Sequence, residues 1–320
     1  MELYSITILC FFCFEKAPLS YVLIRRWNQM KDQIKAHVKW QVEAYVKSKK
    51  DHENENIIKK IESFQNRNAE IVKVMANTTI TDRKQEDDHT YVHYDVHMQY
   101  LIKQKDKMYM EEKLEHHLAS FYKDKLYESR EINQEDIILN QRQIEAELEE
   151  NDDMPRISYR YDRLKAVQYA EKWWNSYNPA YKKFEVDCTN YISQCLHAGG
   201  APMRGYPNKS KGWWMRSNNW SYSWSVANSL RIYLASSTAG LQAREVGSPH
   251  ELMLGDVICY DFQGDGRFDH NTIVTGKDAL GMPLVNAHTS NSRMRYWAYE
   301  DSTAYTPNIQ YKFFTIVDNP

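Results

Sequence analysis

One stretch constrains this chain more than any other: Asp187-Cys188-Thr189-Asn190-Tyr191-Ile192-Ser193-Gln194-Cys195-Leu196-His197-Ala198-Gly199-Gly200. Helical spacing places Tyr191, Ile192, Cys195, Leu196 and Gly199 on one face, turned toward a core. Asp187 stands where an N-cap acceptor belongs, and the Gly199-Gly200 pair where a helix stops. Cys188 then lies in the first turn, where the helix dipole and unpaired N–H groups favour a thiolate. That position makes Cys188 a nucleophile candidate. Cys195, two turns further along the apolar face, reads as a small buried hydrophobe.

A cysteine nucleophile needs a base, and the base needs a group to orient it. Gly255 to Phe262 and Asp269 to Thr275 are β-rich runs separated by Gly264-Asp265-Gly266, which reads as a hairpin with His270 opening its second strand. The glycine-aspartate loop lacks the ligand spacing of a calcium loop, so a turn is the better account. A third strand is expected over Leu284 to Thr289. Strand alternation puts Asn286 and His288 on one face, and either is a candidate to hold the His270 ring. Cysteine on a helix, histidine on a strand and a polar residue on the next strand is a papain-like chain order.

These residues also carry a family resemblance. The blocks Tyr161-Asp162-Arg163 with Ala170 to Trp174, Asp187 to Tyr191 with Ser193-Gln194, Trp220 to Trp224, Gly255 to Ile258, Asp269-His270-Asn271 and Ala287-His288-Thr289 occur in order. Over the C-terminal half, this pattern resembles the amidase-domain family, related to papain-like peptidoglycan amidases and peptidases of the CHAP and NlpC/P60 type. The resemblance implies a thiol-dependent hydrolase acting on an amide of a peptide or cell-wall muropeptide, with no cofactor and no metal. Two departures leave the third member of the triad open. CHAP enzymes usually carry a glutamate near the position of Asn286, and NlpC/P60 enzymes place their third polar residue closer to the histidine.

Length and composition bound the alternatives. A chain of 320 residues suggests two domains. A formal charge of −2 gives no electrostatic reason to invoke nucleic acid. Five cysteines at irregular spacing fit neither a disulfide framework nor a zinc cluster. The apolar run Leu3 to Phe14 is too short to span a bilayer, and Glu2 stands where a signal peptide would carry a cation. Membrane tethering is therefore not favoured, and a cytoplasmic location is slightly preferred over export. A natural start at Met30 is an alternative for this segment.

The N-terminal half reads differently. Two weakly amphipathic helices are expected between Arg26 and Asn66, broken over residues 47–56. From Ala69 the period becomes two: Val92, Tyr94, Val96, Met98 and Tyr100 share one face, with His93, Asp95, His97 and Gln99 on a solvated other. His93 and His97, four apart on one strand, do not make a metal site without help from a neighbour, and none is assigned. Glu145 to Asp153 holds six acids, and residues 145–157 are read as a linker between an accessory domain (27–144) and the amidase domain (158–320).

The expected class is thus α+β: a papain-like antiparallel sheet packed on helices, preceded by a small helical and antiparallel-sheet domain. The site is expected at Cys188, His270 and either His288 or Asn286. Seven of the nine tryptophans follow residue 155. They either line a groove for glycan or peptide, with Trp213 and Trp214 the foremost candidates, or form core. A groove without catalysis would make the chain a binding module, which is the competing reading.

Overall fold

In α1 (Leu19–Val46), Met30, Ile34 and Val38 recur every four residues, with Trp27, Val42 and Tyr45 beside them, forming a stripe that packs on a sheet. The computed structural model describes residues 19–46, 55–132 and 158–318. The expected linker and the apolar N-terminal run lie outside these residues. The second helix, α2 (Glu55–Asn66), adds Ile57 and Phe64 to the buried set. Beneath the helices run three long antiparallel strands, β1 (Ala69–Glu86), β2 (His89–Gln104) and β3 (Lys107–Tyr122), with β4 (Lys125–Glu131) alongside β3. Alternation along β2 holds as expected: Val92, Tyr94, Val96, Met98 and Tyr100 are all buried.

The other face of β2 departs from expectation. His97 bonds to Glu112 at 2.7 Å and lies 5.4 Å from the Trp174 ring, so the C-terminal half covers part of it.

That half begins with α3 (Arg163–Trp173), capped by Asp162 through Lys165 N–H, and α4 (Cys188–Ala198). A two-stranded ribbon, β5 (Met215–Arg216) and β6 (Asn219–Trp220), leads into α5 (Tyr222–Ser225) and α6 (Ala227–Ser236). The strands β7 (Ala243–Val246), β8 (Val257–Asp261), β9 (His270–Lys277), β10 (Pro283–Ala287), β11 (Ser292–Tyr296) and β12 (Gln310–Ile316) follow.

These strands do not form a sheet of their own. The order β1-β2-β3-β11-β10-β9-β8-β12-β7 is one continuous sheet of ten strands, counting β4. The junction is β11 on β3, pairing Ser292 with Lys113 and Arg293 with Glu112. Arg293 also bridges Glu112 and Glu171 of α3, and Lys60 of α2 pairs with Asp301 at 2.9 Å. The two halves read from the sequence are therefore units of one structure. An acidic segment between them does not make them independent, because their strand edges complete each other.

In the C-terminal half, the sheet has two covered faces. Val257, Cys259 and Ile273 pack against α3, α4 and α6, whereas Ile258, Tyr260, Val274 and Val285 pack on the other side with Phe262 and Tyr299. This division decides where each candidate side chain points.

Candidate active site

The cysteine helix starts at Cys188 as its sequence signals, but it is not amphipathic in its setting. Every residue from Cys188 to Leu196 is buried. The polar residues of the motif, off the apolar face read from the sequence, hold an aromatic cover by hydrogen bonds. Trp213 Nε1 donates to Ser193 Oγ at 2.9 Å, Trp224 Nε1 to Asn190 Oδ1 at 2.8 Å, and Tyr169 OH to Gln194 Oε1 at 2.6 Å. Buried indole N–H groups need such acceptors. At the far end, a Cβ on Gly199 would meet Tyr161 Cε2 at 2.4 Å, so the helix stops on a glycine that its packing requires.

This arrangement corrects the groove expectation for two residues. Trp213 is 0 % and Trp214 1 % exposed. Trp214 Nε1 donates to the carbonyls of Asn208 and Lys211, at 3.0 and 3.1 Å. Both tryptophans are core; being in a loop did not expose them, because the loop folds back over α4.

Cys188 is itself 1 % exposed. Burial pushes its thiol above the usual range, and Asp187 adds to that shift. Hydrogen bonds from the Thr189 hydroxyl and from the backbone N–H groups of Asn271 and Thr189 pull the other way. The helix N-terminus alone does not make a thiolate here. The Asn271 contact is informative for position: it sets the sulfur against the first residues of β9, one peptide unit from His270. Asn271 Nδ2 also donates to Thr189 Oγ1 at 3.0 Å.

Alternation along β9 sends Asn271 and Ile273 toward α4, and His270, Thr272 and Val274 to the opposite face. His270 lies among Tyr260, Phe262 and Tyr299, with ring centroids 5.7, 6.2 and 5.4 Å away. Its Nε2 is 3.3 Å from Tyr299 OH. Beside it, burial raises the carboxyl of Asp269 to about 6, with Asp261 and Asp265 reinforcing the shift.

Neither expected orienter meets His270. In register, Asn286 pairs with Ile273, three residues into β9 and about 10 Å along the strand from His270. Its Oδ1 accepts from Thr275 Oγ1 at 2.8 Å and Met294 N–H at 2.9 Å, and its Nδ2 donates to Glu171 at 2.9 Å. His288 lies past the end of β10, followed by Thr289 at φ 79°, so strand alternation no longer governs it. Its Nδ1 is 2.8 Å from Asp187 Oδ2 and its Nε2 2.7 Å from the Trp173 carbonyl. The ring stacks on Tyr191 at 4.0 Å. His288 thus braces the residue before the cysteine rather than the base.

Asp187 is the position whose role the sequence reading understated. It makes no side-chain cap to its own helix. Its Oδ1 accepts from Phe184 N–H and Asn190 Nδ2, both at 2.9 Å, its Oδ2 meets His288, and its N–H donates to Thr289 Oγ1 at 3.1 Å. A small cleft of about 10 Å³, room for a single water, opens beside it, between residues 176–183 and Asp187, Asn190 and His288. Tyr299 was missed altogether, since no motif or spacing marks it.

Among the described residues, no group of three or more histidine, cysteine, aspartate or glutamate side chains gathers to hold a metal. In the loop with passing likeness to a calcium site, Asp261 instead accepts backbone N–H groups of Gly264, Asp265 and Gly266, at 2.7, 3.3 and 2.8 Å. Nor is any helix among these residues long and apolar enough to cross a membrane.

Comparison with known proteins bears on this half of the chain most directly. Residues 160–314 match the family described as "Putative amidase domain". The chain is 52 % identical over 261 residues to the uncharacterized protein YhbB of Bacillus subtilis (strain 168), covering 80 % of this chain and 84 % of YhbB. It is 31 % identical over 140 residues to the uncharacterized YjcM of the same organism, covering 41 % of this chain and 31 % of YjcM. No solved structure matches.

Proposed function

Because the chain belongs to this amidase-domain family, we propose that it hydrolyses an amide by a thiol mechanism, with Cys188 as nucleophile and His270 as base. The carrying observation is the position of the Cys188 sulfur. It lies at the start of an eleven-residue helix, receives backbone N–H groups from Thr189 and Asn271, and sits one peptide unit from His270.

In this scheme, which requires the His270 ring to reach the helix side of β9, the sulfur gives its proton to the imidazole and attacks the amide carbonyl carbon. The oxyanion forms beside the sulfur, where the N–H groups of Thr189 and Asn271 already point, and such preset donors favour charge that develops there. The imidazolium then protonates the departing amine, leaving a thioester. Water, deprotonated by His270, cleaves the thioester to a carboxylic acid and restores the thiol. Burial holds the resting sulfur as a thiol, so the proton transfer accompanies attack and substrate entry requires the cover over Cys188 to open. The small cleft beside Asp187, the residue before Cys188, is a place from which that opening can start.

The papain-like reading of the fold is part of the same proposal. Its support is the order of a helix-borne cysteine, a strand-borne histidine and an antiparallel sheet against the helix. A peptide or muropeptide amide is the proposed substrate class, resting on the resemblance. The competing reading, a non-catalytic binding module, is favoured by one observation: Cys188 and His270 are each 1 % exposed.

Amine release from a panel of peptide and muropeptide amides separates the two. The native protein is expected to release amine, and Cys188→Ala and His270→Gln are expected to release none. Release that survives Cys188→Ala overturns the thiol mechanism.

A further inference from the structure

We propose that Tyr299 is the positioning residue of His270, and that the N-terminal unit holds it in place through Lys60, Asp301 and Arg295. This rests on reading His270 as the base. Three observations carry it.

The first is contact. Tyr299 OH lies 3.3 Å from His270 Nε2. The tyrosine ring is held between Tyr260, 4.9 Å away, and the Arg295 guanidinium, whose Cζ is 3.9 Å from the ring centroid.

The second is backbone conformation. Tyr299 has φ 58°, in the left-handed region. That region disfavours a bulky side chain, and such a residue persists where its surroundings over-determine it. Here the ring is fixed on both sides.

The third is what fixes Arg295. Its Nε and Nη2 donate to Asp301 Oδ1 at 3.1 and 2.9 Å. Asp301 also takes Lys60 Nζ at 2.9 Å, and Lys60 pairs with Glu111. Lys60 belongs to α2 and Glu111 to β3. A single line of contacts therefore runs from the N-terminal unit through Asp301, Arg295 and Tyr299 to His270.

The chemistry follows from the tautomer. When Tyr299 oxygen accepts from Nε2–H, the neutral imidazole keeps its lone pair on Nδ1, the nitrogen that takes the Cys188 proton. The same contact favours the imidazolium once it forms. The groups that ring His270 are Tyr260 and Phe262 from the β8 side and Tyr299, with Asp269 next to it in its own segment. Tyr260 OH is already engaged by the Trp297 carbonyl at 2.8 Å, which leaves Tyr299 as the orienting phenol.

The test uses the full chain with 15N-labelled histidine rings, His270 assigned by His270→Gln. The native protein at pH 9 is expected to show the Nε2–H tautomer at His270, and a Nδ1–H tautomer overturns the proposal without any variant. Tyr299→Phe is expected to lower the His270 titration midpoint by about half a unit or more. It is also expected to slow iodoacetamide alkylation of Cys188 about fivefold at pH 7, as loss of one hydrogen bond implies. Lys60→Met with Glu111→Gln removes the connection from the N-terminal side without leaving an unpaired charge, and the same two signs are expected at smaller size. An unchanged His270 midpoint in Tyr299→Phe refutes the positioning role. A shift in Tyr299→Phe with none in the double variant refutes the role of the N-terminal unit. Alkylation that is unchanged in His270→Gln refutes the base assignment instead, and the ring tautomer still reports on Tyr299.

Discussion

Replacing His288 separates what the structure assigns to it from what its place in the sequence suggests. In His288→Ala the ring is lost from a site that is 2 % exposed. Three contributions add. The contact with the Trp173 carbonyl at 2.7 Å contributes about 1 kcal/mol as a neutral hydrogen bond. The contact with Asp187 at 2.8 Å contributes roughly 1.5–3 kcal/mol, because its partner is a carboxylate. The void under the Tyr191 ring, 4.0 Å away, adds about 1–2 kcal/mol. Asp187 keeps Phe184 N–H and Asn190 Nδ2, which spares it the full penalty of a stranded buried charge. The expected loss is about 3.5–6 kcal/mol, or a melting temperature lower by roughly 7–12 °C for a chain of this size. The assay is thermal unfolding followed by circular dichroism, with iodoacetamide labelling of Cys188 below the transition. Alkylation in the folded fraction should keep its native pH profile. A variant of native stability with a displaced pH profile would refute this reasoning and return His288 to the role of orienter.

Other expectations follow from the same contacts. Burial pushes the Glu112 carboxyl up, but hydrogen bonds from His97, Gln99 and Arg293 outweigh it and hold the group at about 2. Its contribution is present in full above about pH 4.5 and is lost as pH falls from there toward 2, so Glu112→Gln should flatten that part of an acid-unfolding curve. Residues 158–320 expressed alone should melt well below the full chain, since β11 loses β3 and Asp301 loses Lys60; equal melting temperatures would show that the shared sheet contributes nothing. Trp213→Ala should cost about 3–5 kcal/mol of stability, read by urea unfolding, because its indole is core and bonded to Ser193. A native unfolding midpoint in that variant would return the indole to a groove.

Local pattern was enough to read the elements that depend on neighbours in sequence. Period-two burial marks β2, four-residue spacing marks α1, and an acid followed by two glycines twelve residues on brackets α4. The site was less legible because it depends on pairing over distance. Asn286 and His288 were read as an inward pair on one strand, but β10 shifts register between Leu284 and Val285 and ends at Ala287. A slip of one residue exchanges faces, and a strand that ends early releases its last side chain altogether. The same limit hid Tyr299, which reaches His270 from a turn in a left-handed conformation. The tryptophans misled for a related reason. Their acceptors, Ser193 and Asn190, lie off the apolar face that spacing marks, and only the folded-back loop reveals that their face is covered.

The junction of β3 with β11 also has a consequence for synthesis. β4 covers the edge of β3 only from His117 to Tyr122, and the pairing partners of Glu112 and Lys113 lie about 180 residues further along. At roughly 5–20 residues per second, the nascent chain carries an open strand edge for about ten to thirty seconds before β11 emerges. An uncovered edge invites pairing with other chains, and charge along it discourages them. Glu111, Glu112, Lys113 and Glu115 stand on that edge. The residues that later bond across to Arg293 and Lys60 are therefore the ones that keep the half-made protein from associating with its neighbours on the same messenger.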